Sequence, residues 1–356
     1  MLIEVMLLIS VGTIFIYSAS AIYAWKNIGD SLYFLKKHVI FILIGVVLMA
    51  IAMAIDLKRL ERYAKPIIIC AIVLLVLVLI PGIGKEISGA RRWFRLFGWS
   101  FQPSEFAQLA LIIYLAGFLS KKDKLINNFI NGLLPVLLIV GLVSLLILMQ
   151  PDLGSVIAIN MVALIILFVA GMEKRYVAFL FILAVPLLYF LIFSIPYRRM
   201  RIMAFLNPWA DPKGSGFQII QSQIALGSGR LFGVGLGQSQ QKLFYLPAAH
   251  TDFIFSIIGE ELGILGTLGV TLLFINFVLD GFRVSISAQD KFSYFLSFGL
   301  ITLLSLKVLI NICVSIGIFP TKGLPLPFIS YGGTSLVFDM ISVGILLNIS
   351  RSSDNI

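Results

Sequence analysis

The sequence predicts an all-α polytopic membrane protein with about ten transmembrane helices and a large extracytoplasmic loop between helices 7 and 8. Three observations lead there. Of the 356 residues, 60% are hydrophobic and only 12% charged, far from the composition of a soluble protein. Apolar runs of about 20 residues, the length that crosses a hydrocarbon core of ~30 Å, recur along nearly the whole chain. The connections between them are short, except for one at about residues 196–252. No stretch is left over for a soluble domain, so residues 1–356 read as a single membrane domain.

In order, spans are expected over residues 3–23, 38–55, 66–83, 104–119, 133–149, 154–171, 177–195, 253–279, 294–317 and 334–350. An even number puts both termini on one side. The first run begins at Leu2 with Glu4 rather than a basic cluster and leads to no small-residue cleavage site, so it is expected to stay as a helix. The second, third and fourth spans are separated by Lys- and Arg-bearing connections. Only the tight turn of QPDLGS (150–155) divides the fifth from the sixth. After the seventh span, NPWADPKGSGFQIIQSQIALGSGRLFGVGLG carries enough Gly and Pro to predict turns and short helices on the surface rather than another crossing. The last three spans close the chain.

Basic residues occupy both faces. Lys58, Arg59, Arg62, Lys65, Lys121, Lys122 and Lys124 hug helix ends in the cytoplasmic manner, whereas the opposite face holds an Arg-rich set mixed with Trp, Gly and Pro. The termini are therefore expected inside. The net charge of +10 is spread over short loops, so membrane lipid or a phosphorylated lipid is the expected partner, with no nucleic acid. Cys70 and Cys313 fall within spans and read as small buried hydrophobes without a disulfide.

The stretch YLPAAHTDFIFSIIGEELG (245–263) puts His250, Thr251, Asp252, Glu260 and Glu261 at the mouth of and inside the eighth span. A carboxylate at bilayer depth costs roughly 2.5–3.5 kcal/mol, which makes it a functional candidate. If the helix starts near Asp252, then Asp252, Ser256 and Glu260 share one stripe and can line one cavity. Asp252 can act there as a general base; alternatively, Thr251 or Asp252 caps the helix. Glu260 and Glu261 suit pairing with a basic residue on a neighbouring helix, for which Lys307, alone in the ninth span, is the expected partner. In the third connection, Arg91, Arg92 and Arg95 alternate with Trp93, Phe94 and Trp99. That pattern fits either a phosphate-bearing headgroup held by guanidinium forks or an interfacial aromatic belt. Glu105 and Gln108 are placed to hydrogen-bond within the bundle, Asp152 in a tight outer turn to cap the sixth span, and Lys322 in a turn-rich loop to meet an anion or only water.

With only His38 and His250 as histidines and no paired-cysteine motif, no metal site is expected from the residues. Neither a serine-hydrolase elbow nor a P-loop occurs.

Five motifs occur together and in order: GARRWFRLFGWSFQPSEFAQ (89–108), QPDLGS (150–155), NPWADPKGSGFQIIQSQIALGSG (207–229), QKLFYLPAAHTDFIFSIIGEELG (241–263) and PTKGLPLPFISYGGTS (320–335). On these the chain resembles the SEDS family of FtsW and RodA, the bacterial peptidoglycan polymerases, and NPWADP with QKLFYLP is more similar to the division member FtsW. The resemblance implies that Asp252 is the essential catalytic carboxylate and that Trp93, Lys322 and Glu260 fall on shared motif positions. Ala248 departs from the pattern, since relatives commonly carry Glu there.

The expectation that joins both lines is an inverting glycosyltransferase at the outer face of the bacterial cytoplasmic membrane. It would polymerise lipid II onto an undecaprenyl-linked glycan, with Asp252 as base and with Arg91, Arg92, Trp93, Arg95, His250, Lys322, Glu260 and Glu105 around the substrate. Arg198, Arg199 or Arg201 would join the arginines at the departing pyrophosphate, with a divalent cation such as magnesium as a further aid. A class B penicillin-binding protein transpeptidase and divisome proteins are the partners the resemblance implies. A lipid II flippase, a RodA-like elongation polymerase and a non-catalytic scaffold are the alternatives.

Overall fold

The structure, a computed structural model, describes residues 1–87, 89–96, 99–122, 125–243, 245–321 and 323–354. Its helices are α1 (Leu2–Ile28), α2 (Tyr33–Ala54), α3 (Leu57–Arg62), α4 (Ala64–Leu79), α5 (Pro103–Lys122), α6 (Leu134–Leu148), α7 (Leu153–Val169), α8 (Lys174–Phe193), α9 (Pro196–Leu206), α10 (Phe217–Ser228), α11 (Ile254–Ile286), α12 (Lys291–Ser315) and α13 (Gly333–Asp354). Among the described residues, eight helical stretches are long and apolar enough to cross a membrane: α1, α2, α5, α6 with the wide turn before it, α8, α11, α12 and α13. The apolar helices α4 and α7 are shorter. Each of the ten predicted spans coincides with one of these, because only a helix satisfies its own backbone in hydrocarbon.

One end of the bundle gathers the start of α1 and the far ends of α2, α11 and α13. There the Met1 amine pairs with Asp280 at 2.9 Å, Asn348 Nδ2 donates to the Ile55 carbonyl at 2.7 Å, and Gln289 Nε2 donates to that of Ser352 at 2.9 Å. The start of α11 and the long 196–252 connection lie at the opposite end. Helices α5 and α12 pack together at the centre with α13 and α4 alongside. By contrast, α8 has no buried residue and stands off the bundle, its apolar faces turned outward.

The helical architecture carries one small sheet. The connection between α4 and α5 folds into an antiparallel sheet of β1 (Lys85–Ile87), β2 (Ala90–Leu96) and β3 (Trp99–Phe101), in that order. The run ARRWFRL has period 2, with Arg91, Trp93 and Arg95 on one face and Arg92 and Phe94 on the other, which is a strand pattern. Phe94 stacks on Phe101, and Thr334 Oγ1 at the start of α13 donates to the Ser100 carbonyl at 2.8 Å, pinning the sheet to the bundle. One correction concerns Cys70: it lies exposed on α4 rather than buried.

A second correction concerns the long connection, which reaches into the bundle. Helix α11 is broken at Gly263, where φ is 69° and ψ −163°. The backbone groups freed there are taken up by residues 230–235: Val234 N–H donates to Glu260 O (3.0 Å), Gly235 N–H to Glu261 O (3.1 Å), Ile264 N–H to Arg230 O (2.9 Å) and Leu265 N–H to Leu231 O (3.3 Å). The break lies nine residues beyond the start of α11 at Ile254, about 14 Å along the helix at the helical rise. Irregular backbone at such depth is tolerated because it is buried in protein.

Glu260 and Glu261 belong to this junction, and the expected pairing with Lys307 does not occur. Glu260 accepts from Ser239 Oγ and from the backbone N–H groups of Gln240 (2.9 Å) and Gln241 (3.4 Å). Glu261 pairs with Lys242 at 2.9 Å and accepts from Ser18 Oγ (2.7 Å) on α1. A Cβ at position 263 would fall 2.5 Å from Gly233 N and Leu231 O. Gly263→Ala is therefore expected to destabilise the protein by at least the ~1–3 kcal/mol of a strained backbone. Thermal unfolding in detergent measures this, and an unchanged midpoint contradicts it.

Lys307 instead joins α12 to α5 and α13, pairing with Glu105 at 2.8 Å and Asp339 at 2.9 Å. All three are at most 4% exposed, and Ser335 Oγ lies within 3.5 Å of each of the three charged groups. Glu105, expected among the substrate-facing residues, is thus held inside the bundle.

Candidate active site

Just before α11, residues 248–253 form a compact turn. Ala248, in a left-handed conformation (φ 56°), presents its carbonyl to the N–H groups of Thr251 (3.1 Å), Asp252 (3.1 Å) and Phe253 (3.4 Å). The turn at Ala248 is thus defined by backbone bonds rather than by a side chain. Phe253 is the N-cap and no side chain caps the helix, so the capping alternative for Thr251 or Asp252 is removed. The proposed stripe is also corrected. Ser256 turns to Ser222 on α10, with Oγ atoms 2.6 Å apart, and Glu260 to the 239–241 loop, so they do not share a cavity with Asp252.

Asp252 faces the loop before α13. A Cβ on Gly323 would sit 2.9 Å from its Oδ2. The carboxylate is recessed in protein yet only partly buried. Loss of water raises its pKa to about 6, opposed by the charge of Arg201 and assisted by that of Asp152. Arg201, on α9, donates through Nη1 to the Thr321 carbonyl at 2.9 Å and stacks its guanidinium over Tyr197. Asp152 caps α7 by accepting from Ser155 N–H (3.2 Å) and Ser155 Oγ (2.7 Å). The turn carrying Asp152 is held by Arg92, whose Nε donates to Gln150 O (2.6 Å) and whose Nη2 donates to Pro151 O (2.7 Å). Burial and the neighbouring positive charge of Arg92 lower the pKa of Arg198. Thus β2, the α6–α7 turn and α9 bring Arg92, Arg198 and Arg201 to the side of Asp152 and Asp252.

The remaining predicted residues divide. Arg91 pairs with Glu86 at 3.2 Å, Arg95 is exposed and Trp93 partly exposed, all on one face of the central strand β2. His250 lies among the rings of Tyr23 (5.9 Å), Phe34 (4.7 Å) and Tyr331 (5.9 Å). Burial lowers its pKa to about 4, so at neutral pH it offers a neutral imidazole and no charge for a phosphate. Lys322 lies outside the described residues. Among the described residues no three His, Cys, Asp or Glu side chains converge to hold a metal ion.

Sequence reasoning missed Asn311 and Ser330. Asn311 Nδ2 donates to the carbonyls of Asp252 (3.0 Å) and Leu324 (2.8 Å). Ser330 Oγ donates to Thr251 O at 2.5 Å and accepts from Leu326 N–H at 2.9 Å. An amide four residues from Lys307 inside an apolar span was the available signal for Asn311.

Comparison with known proteins follows the same lines. The FtsW/RodA/SpoVE family model, described as a cell cycle protein, matches residues 1–355. A Geobacter sulfurreducens relative, "Probable peptidoglycan glycosyltransferase FtsW", is 49% identical over 95% of this chain and 91% of its own length. Stage V sporulation protein E of Bacillus subtilis is 45% identical, covering 98% of this chain and 94% of the relative. A chain from a peptidoglycan synthase complex whose polymerization and crosslinking are structurally coordinated superposes with a TM-score of 0.80 at 30% identity, over 100% of this chain and 98% of that one. The rod shape determining protein RodA of Thermus thermophilus superposes at 0.71 with 25% identity, over 100% and 97%.

Proposed function

As a member of the FtsW, RodA and SpoVE family, this chain is a peptidoglycan glycosyltransferase, and we propose that Asp252 is its general base. In this reading Asp252 takes the proton from the 4-hydroxyl of the lipid II GlcNAc as that oxygen attacks the anomeric carbon of the lipid-linked MurNAc. The new glycosidic bond forms with inversion, and the bond to undecaprenyl pyrophosphate breaks with its electron pair leaving on the pyrophosphate. One carboxylate is enough for an inverting transfer of this kind. The single observation that carries the assignment is a recessed carboxylate that caps no helix, makes no ion pair among the described residues and has a pKa of about 6. A base of that strength is ionised at neutral pH yet basic enough to accept a proton in the transition state. Arg198 and Arg201, with Arg92, supply positive charge from preorganised positions for the leaving pyrophosphate.

The site is assigned to the extracytoplasmic face of the bacterial cytoplasmic membrane, and the protein to the division septum in company with a class B penicillin-binding protein. Supporting this are the ordinary cytoplasmic pattern of basic residues at the opposite end and the relatives carrying the division name. The test is incubation of the purified protein, with its transpeptidase partner, with labelled lipid II, reading glycan strands. Measured across pH, the rate should rise with pH through about 6 and level off above it, because only the deprotonated Asp252 can accept a proton. Arg201→Gln removes a charge that stabilises the carboxylate and should move the midpoint upward. A rate that does not fall between pH 7 and pH 5 would count against Asp252 as base.

A further inference from the structure

We infer that Asn311 and Ser330 are positioning residues that hold the Asp252 carboxylate in its reactive orientation by clamping the main chain on which it stands. The inference rests on the general-base reading above. Three successive carbonyls are each gripped by a donor from the α12–α13 region: His250 O by Tyr331 N–H (2.9 Å), Thr251 O by Ser330 Oγ (2.5 Å) and Asp252 O by Asn311 Nδ2 (3.0 Å). Such a row leaves the peptides on either side of Asp252 no freedom to rotate, so the direction of its Cα–Cβ bond is fixed.

Both clamp residues also hold the strip opposite the carboxylate. Asn311 reaches Leu324 O and Ser330 reaches Leu326 N–H, while Gly323, next in that strip, lies against the carboxylate itself. One pair of side chains therefore sets the spacing between the Asp252 turn and the facing strip. Facing two carbonyl oxygens, the Asn311 side chain can present only its amide nitrogen. An amide 1% exposed that bonds two main-chain carbonyls is there for its donors. Its footing is firm, since Asn311 stands one helical turn from Lys307 on the same face of α12.

The experiment is steady-state polymerisation of lipid II by the protein with its transpeptidase partner, comparing wild type with Asn311→Leu, Ser330→Ala and Asp252→Ala. Displacing a reacting group by about 1 Å costs on the order of 100-fold, so kcat should fall about 10- to 100-fold in both clamp variants. KM should stay within about twofold, and Ser330→Ala, the milder change, should keep the wild-type melting midpoint. If Asn311→Leu does not accumulate, Ser330→Ala alone decides. A folded clamp variant with wild-type kcat, or with KM rising in step with the loss, overturns the inference. The base assignment is separated from it: activity in Asp252→Ala sinks that reading, whereas an inactive Asp252→Ala beside a fully active Ser330→Ala removes only the clamp.

Discussion

Asp252→Ala should abolish measurable glycan polymerisation while leaving the protein in the membrane and folded. General-base catalysis contributes typically 10²- to 10⁴-fold, and at the upper end of that range a processive polymerase gives no detectable strands. Folding should survive because, among the described residues, the carboxylate caps no helix and makes no ion pair, and the neighbouring backbone bonds are independent of it. Removing a partly desolvated carboxylate should even relieve some cost of burial. The measurement is strand formation from labelled lipid II beside a thermal melt of the same preparation. Strands made at the wild-type rate would falsify the assignment.

The second large effect is expected one helical turn along α12 from Asn311. Lys307→Met leaves Glu105 and Asp339 facing each other without a cation in the middle of the bundle. Removing one partner of a buried ion pair costs about 3–5 kcal/mol, and here two carboxylates lose the same partner. The variant should melt well below wild type in detergent and accumulate poorly. Combining it with Glu105→Gln and Asp339→Asn should restore most of the loss, because no unpaired charge remains. A wild-type melting point for Lys307→Met would show that the carboxylates do not depend on the lysine.

Much of this molecule is written locally. Ten apolar runs stand where ten helices lie, because crossing hydrocarbon is decided by the composition of each segment alone. Asp252 was legible for the same reason: a carboxylate at the edge of an apolar run is out of place unless it has work to do. What stayed hidden depends on distant partners. Lys307 was visible as an isolated cation, but its carboxylates come from positions 105 and 339 rather than from the nearby motif at 260–261. Arg92 read as one of three equivalent guanidiniums until its bonds to Gln150 and Pro151 set it apart from Arg91 and Arg95. The strand pattern of β2 was present in the alternation of Arg and aromatic residues, and it was masked by the expectation that short connections between spans are loops.

The break at Gly263 has a consequence for biogenesis. A span that carries its own complete ladder can enter the bilayer by itself and find neighbours afterwards, whereas this one leaves N–H and C=O groups open until residues 230–235 arrive to meet them. Those residues precede it in the chain and are already synthesised when the span emerges. Insertion of α11 is therefore expected to be coupled to closure of the loop over it, with the half-helix that starts just after Asp252 seated in the same event.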